Sequence, residues 1–192
     1  MSPQTASVAR EPSADKLPHS YDRTTIQLHW MTAGLVALLW GIAQIIDFFP
    51  RGQPRTTIRS MHILLGVILA VTLVTRIIWR ARSGRRLPLP EPGFIGYSAK
   101  IVHYGLYVLL AATVVLGVAN VWVRGDSIFG LFSVPRYATS DKILRHTVGD
   151  LHGTFANAIL IVAGLHALAA LTHHYVLHDS MLRRMLPGRS AK

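Results

Sequence analysis

The chain has 192 residues, of which 51% are hydrophobic and only 15% charged, with a formal net charge of +11. Soluble proteins carry about 25% charged residues, so this composition describes a membrane protein of about one domain. The absence of cysteine excludes disulfides, cysteine-held iron–sulfur clusters, thiolate zinc sites and thioether-attached haem. In a soluble protein the positive charge would raise nucleic acid as a partner. Here the basic residues lie between apolar segments, where topology explains them, and no nucleic acid is expected.

Residues 1–20 are polar, contain three prolines, and read as a disordered tail. They lack the apolar core and cleavage site of a signal peptide. Four apolar spans follow, at about 24–49, 57–79, 98–123 and 148–177. Each is near the roughly 20 residues that cross a bilayer. The expected fold is therefore all-α: an integral membrane four-helix bundle over residues 21–187, with a short C-terminal tail at 188–192. Gln27, His29 and Gln44 interrupt the first span, as suits helices that face a polar interior. Gly34, Gly66, Gly105, Gly117, Gly153 and Gly164 would let helices or a flat cofactor approach closely.

Basic residues set the orientation. The face holding both tails and the segment "RIIWRARSGRRLPLPEPGFIGYSAK" carries 13 Lys and Arg; the opposite face carries seven. Both termini are therefore expected in the cytoplasm. The outer face sets Arg51, Arg55, Arg59, Arg124, Arg136, Lys142 and Arg145 against only Asp47, Asp126, Asp141 and Asp150. Such loops are either ordinarily soluble or a field that draws in an anion and speeds encounter.

The fourth span is rich in Ala, Leu, Ile and Val, yet contains His152, His166, His173 and His174. Ionisable side chains are costly in an apolar span. Fourteen residues advance a helix by about 21 Å and nearly four turns, so His152 and His166 share a face at two depths, and His173 lies close to it. The first helix enters from inside, with His29 one to two turns from its start. The second enters from outside, with His62 about one turn in. Depth matching pairs His62 with His152 near the outer side and His29 with His166 toward the inner side.

Facing imidazoles in a helical bundle suit a haem b between them. Zinc would want a third or fourth ligand at the same depth. Two haems b at two depths would make an electron path across the bilayer, and the neutral ligand imidazole carries no buried charge. His103, near the inner end of the third span, is a competitor of His29, a quinone contact or a structural residue. His173 is either an interfacial histidine or a quinone contact. His146 and His174 are not expected as ligands; His19 and His178 are expected in water. Trp30, Trp40, Trp79 and Trp122 read mainly as interfacial anchors. Arg59 and Arg145 are placed to meet outer haem propionates, and Arg76 and Arg80 inner ones.

The segments "YDRTTIQLHW", "DFFPRGQPR", "MHILLGV", "RGDSIFGLFSVP", "DLHGTF" and "GLHALAALTHHY" together resemble the bacterial cytochrome b561 family, di-haem four-helix membrane cytochromes b. The resemblance runs from about Tyr21 to Pro187. It implies two haems b, held at His29, His62, His152 and His166. "FFPR" and "THHY" are similar to the superoxide-oxidising members of the family. That likeness implies an inner-membrane enzyme that passes electrons from periplasmic superoxide to ubiquinone, with Arg51, Arg55, Arg59, Arg124 and Arg145 steering the anion. Besides the bilayer, superoxide and ubiquinone, the expected partner is a second copy of the chain or none. Some relatives carry a lysine in the Pro-rich inner loop. Here that stretch is "RLPLPEPGF", with Glu91 and no lysine; Lys100 is the nearest.

The alternative is an electron-transfer subunit linking a membrane dehydrogenase or hydrogenase to quinone. It would present an apolar docking surface, and the short outer loops and polar tails offer none. A metal-free ion translocator would place carboxylates among the histidines. Asp47 and Asp150 lie only near outer span ends.

Overall fold

The computed structural model describes residues 20–84, 94–137, 141–179 and 181–186. Residues 1–19 of the N-terminal tail, His19 among them, lie outside the described residues. So do the Pro-rich stretch with Glu91 and the tail at 188–192. The four long helices are α1 (Arg23–Ile45), α2 (Gln53–Arg82), α3 (Phe94–Arg124) and α4 (Lys142–Tyr175). All four are long and apolar enough to cross a membrane. Helices suit this setting because they satisfy their backbone groups internally.

Local chemistry sets the helix ends. Asp22 caps α1, accepting from Thr25 N at 2.9 Å and Thr25 Oγ1 at 2.7 Å. It also accepts from the Trp79 indole at 3.0 Å, which ties the start of α1 to the C-terminal end of α2; this end of the bundle is called inner, and the opposite end outer, after the orientation expected from the basic residues. Asp141 caps α4, accepting from Leu144 N at 2.8 Å. Pro54 sits in the first turn of α2, where its missing N–H costs nothing. α2 and α4 therefore begin before the apolar spans do. Arg55, Arg59, Lys142 and Arg145, which the sequence suggests are loop residues, stand on helix turns.

The bundle has little apolar core of its own. Leu39, Leu69, Leu73, Leu110 and Ile159 form the buried cluster. Ile159 lies midway between His152 and His166 on α4, so this layer separates the two histidine depths. Val108, Val115, Val118, Ile161, Leu165 and Leu168 are exposed, as befits side chains solvated by lipid. Three tryptophans do more than anchor at the interface. Beside the Trp79 bond, Trp30 donates to the Met185 carbonyl at 2.7 Å and Trp40 to Asn157 Oδ1 at 2.9 Å. The Trp30 bond and Tyr21 N–H to Arg184 O (3.2 Å) seat the 3-10 turn Leu182–Met185 beside the start of α1.

A small hairpin, absent from the all-α expectation, crosses the outer end. β1 (Ser127–Ile128) pairs antiparallel with β2 (Phe132–Ser133), Ser127 opposite Ser133. Gly125 (φ 66°) ends α3, and Gly130 (φ 75°) turns the hairpin. The hairpin rests on Ser60, the most buried polar residue of the chain's described part. Ser60 Oγ accepts from Phe129 N–H at 2.8 Å and donates to the Thr56 carbonyl at 2.7 Å, with the Ser127 carbonyl 3.2 Å away.

Ser60→Ala leaves the Phe129 amide without its acceptor, at a cost of about 1–3 kcal/mol. Hydrogen exchange followed by mass spectrometry in detergent should show faster exchange across 127–133 and unchanged exchange in the helices. Unchanged exchange in the hairpin would show that Ser60 does not hold it.

Candidate functional site

The fold brings the histidines of different helices together at two levels. At the outer level the rings of His62 (α2) and His152 (α4) have centroids 6.2 Å apart, with planes at 84°. At the inner level those of His29 (α1) and His166 (α4) are 6.5 Å apart at 74°. An iron bonded at about 2 Å to one nitrogen of each of two opposed imidazoles needs ring centroids roughly 6–6.5 Å apart. Both separations suit that arrangement. His103 (α3), an exposed residue, lies closer to His166, at 5.1 Å. That is too short for an iron between opposed rings. Among the described residues no group of three or more His, Asp or Glu converges as a metal cage would require, so the donor set suits a metal that arrives with its own equatorial ligands.

His152 has a defined tautomer. Its Nδ1 lies 3.1 Å from the Thr113 carbonyl. A carbonyl only accepts, so Nδ1 carries the proton and Nε2 keeps a free lone pair. At the inner level Arg76 Nη2 lies 3.1 Å from His29 Nδ1, and its guanidinium stands 5.1 Å from the Tyr107 ring centroid. Arg80 reaches over Tyr21 at 5.9 Å. Arg76 thus sits within the inner cluster and Arg80 at the bundle's end.

Above the outer pair opens a cleft of about 820 Å³, lined by Arg59, Arg124, Arg136, Lys142, Arg145 and His146 with Asp47, Asp126 and Asp150. Asn120 and Gly149 also line it. Each stands three residues, about 4.5 Å of helix, outward of Gly117 and His152 respectively. Asp126 pairs with Arg59 at 3.3 Å and Arg124 at 3.6 Å. The fold separates the five candidate arginines. Arg59, Arg124 and Arg145 line the cleft. Arg55 is outside its lining and holds the loop between α1 and α2, bonding the Phe49 carbonyl at 2.7 Å and pairing with Asp47 at 3.4 Å. Arg51 is exposed in the turn before α2 and does not line the cleft. Asn120, Arg136 and Lys142 join the cleft because the turn after Gly125 and the capped start of α4 fold toward each other. The Asp141 cap is the sequence signal that marks the start of α4.

His173 faces Asp179 rather than the inner pair; its Nδ1 and Asp179 Oδ2 are in hydrogen-bond contact. Partial burial works against the Asp179 charge. The Met181 amide, the His173 bond and nearby Arg184 outweigh it and hold the carboxyl below its usual range. His146 pairs with Asp150 at 3.1 Å on the surface, and His178 is exposed.

A four-helix membrane bundle with two opposed imidazole pairs is the architecture of a haem membrane cytochrome b. Residues 20–188 match the prokaryotic cytochrome b561 family, and the chain belongs to that family, whose members bind haem b, typically two. It is 36% identical over 174 residues to a probable superoxide oxidase, CybB, of Yersinia pestis, covering 88% of this chain and 97% of that protein. It is 31% identical over 172 residues to cytochrome b561 homolog 1 of Escherichia coli (strain K12), covering 88% and 98%. It is 29% identical over 178 residues to cytochrome b562 of Cereibacter sphaeroides, covering 88% and 96%. The protein is thus a multi-pass bacterial membrane cytochrome of electron transport.

Because the folded Asp179 carboxyl is held below its unfolded value, its contribution to the inner C-terminal turn is present above the ordinary carboxylate pKa. It is lost as pH falls through the lower folded value. Limited proteolysis after Val176 should therefore stay constant from neutral pH into the mildly acidic range. Asp179→Asn should raise cleavage at neutral pH. Equal cleavage of both proteins would deny Asp179 that role.

Proposed function

We propose that the protein is a superoxide:ubiquinone oxidoreductase of the bacterial inner membrane, with both termini cytoplasmic. One observation carries the reading: a basic cleft opens directly above the outer of two stacked imidazole pairs. His62 and His152 would hold an outer haem b, His29 and His166 an inner one. The two haems would supply successive one-electron carriers.

The chain's own residues prepare the outer reaction. Asp126 balances part of the charge of Arg59 and Arg124. Arg136, Lys142 and Arg145 leave the cleft net positive, which raises the local concentration of a small anion. Superoxide loses one electron and becomes oxygen, which is neutral and no longer held by the field. Two such events supply the two electrons that convert one quinone to quinol. That reduction also takes up two protons, which cytoplasmic water would deliver at the inner end, near His173, Asp179 and His103. The central layer of Leu39, Leu69, Leu73, Leu110 and Ile159 excludes water between the two levels, so electrons cross and protons do not. The relation to the probable superoxide oxidase supports the choice of substrate. The relation to plain cytochromes makes an electron-transfer subunit the alternative.

The test is haem stoichiometry and reduction kinetics on the purified protein. Wild type should hold two b haems per chain, reduced by superoxide and reoxidised by ubiquinone. His62→Ala and His152→Ala should each lose the outer haem alone; loss of only the inner haem would refute the pairing. Lys142→Glu with Arg145→Glu should slow reduction by superoxide about tenfold or more at low salt, and less at high salt. Two haems that ignore superoxide would move the assignment to an electron-transfer subunit.

A further inference from the structure

α3 contributes neither member of the two opposed pairs, yet it touches one of them closely. A Cβ built on Gly117 would stand 3.1 Å from His152 Cε1 and 3.5 Å from its Nδ1. Such a contact is tighter than side chains ordinarily make, so the ring would have to move by a few tenths of an ångström. The other helical glycines compared do not meet a ring in this way. Gly34, Gly41, Gly66, Gly105, Gly153 and Gly164 would meet nothing within 4 Å, and Gly149 only Asn120 Oδ1 at 3.8 Å. The ring lies on the turn of α3 whose Thr113 carbonyl it uses, 3.1 Å from Nδ1. In helix register this is the carbonyl that receives the Gly117 N–H; its second lone pair serves the imidazole. The Thr113 hydroxyl is turned back to the Leu109 carbonyl at 2.9 Å, so the backbone oxygen, not the side chain, is the acceptor.

We propose that Gly117 and the Thr113 carbonyl form a seat on α3 that fixes the tautomer and tilt of His152 and thereby sets the redox potential of the outer haem. The inference rests on His152 being an outer ligand. A proton held at Nδ1 by a carbonyl leaves Nε2 as the metal-facing nitrogen and makes the ring a stronger donor. A stronger donor favours the ferric state and lowers the potential. Gly117 is a positioning residue: it acts through the imidazole, and a methyl group in its place lifts the ring away from the carbonyl. At the inner level His29 Nδ1 faces the Arg76 guanidinium, which only donates, so the carbonyl contact described here belongs to His152.

The experiment is a redox titration of haem-loaded protein in detergent, read by visible spectra and low-temperature EPR, on wild type, Gly117→Ala, Gly117→Val and His152→Ala. Gly117→Ala should raise the midpoint potential of the outer haem and move its low-spin ferric signal, with the inner haem unchanged as an internal control. Gly117→Val should lose the outer haem. An outer haem unmoved by Ala, or both haems moving together, overturns the seat. Should the Gly117 variants fail to assemble, electron–nuclear double resonance on wild type decides. An exchangeable Nδ1 proton held in a strong hydrogen bond on one outer ligand supports the seat, and its absence overturns it. His152→Ala separates the two levels of inference. If the outer haem survives that change, the ligand assignment itself fails. If it is lost while Gly117→Ala has no effect, only the seat fails.

Discussion

Four imidazoles inside a hydrocarbon-solvated bundle impose the constraint on which the rest of this structure depends. Each must be neutral and each ring nitrogen needs a partner, because lipid supplies none. The bundle answers by opposing the rings in two pairs, 6.2 and 6.5 Å between centroids. The small apolar core follows from this. Five buried side chains form one layer between the pairs. Small residues and backbone carbonyls, rather than bulky side chains, line the outer pair's flank on α3.

The two ends of the bundle are built differently. The outer end is wet and charged. The extended starts of α2 and α4 lift Arg59, Lys142 and Arg145 beyond the apolar span, and a hairpin held by Ser60 closes one side of the cleft. The inner end is tied by hydrogen bonds from indoles and backbone to Asp22, Met185 and Arg184. In the proposed function, the open, positive mouth would receive the small anion, and the tied end with His173 and Asp179 at its edge would serve the quinone.

The exposed surface of the spans is apolar over most of its area, and in a soluble protein it would signal aggregation or a docking face. Here it is the lipid contact. Polar contacts that cross between helices include Trp40 to Asn157, His152 to Thr113 and Arg76 to His29. In a medium without a hydrophobic driving force between helices, such bonds and close packing set which helices meet.

Depth was legible in the sequence because it depends on a fixed helical rise. The 14 residues between His152 and His166, the entry direction of each span and the basic loops sufficed to match His62 with His152 and His29 with His166. The Asp141 cap was readable too, and would have moved Lys142 and Arg145 from loop to helix. Rotation about each helix axis and the distance between axes are different quantities. They come from packing across the whole bundle, which no local pattern encodes. So only the tertiary structure decided that His103 stands 5.1 Å from His166, that Arg55 serves its loop while Arg145 lines the cleft, and that Ser60 receives the hairpin. Gly117 shows the boundary between the two. The sequence marks it as a place where something comes close, and only the folded chain reveals that the something is the ring of His152.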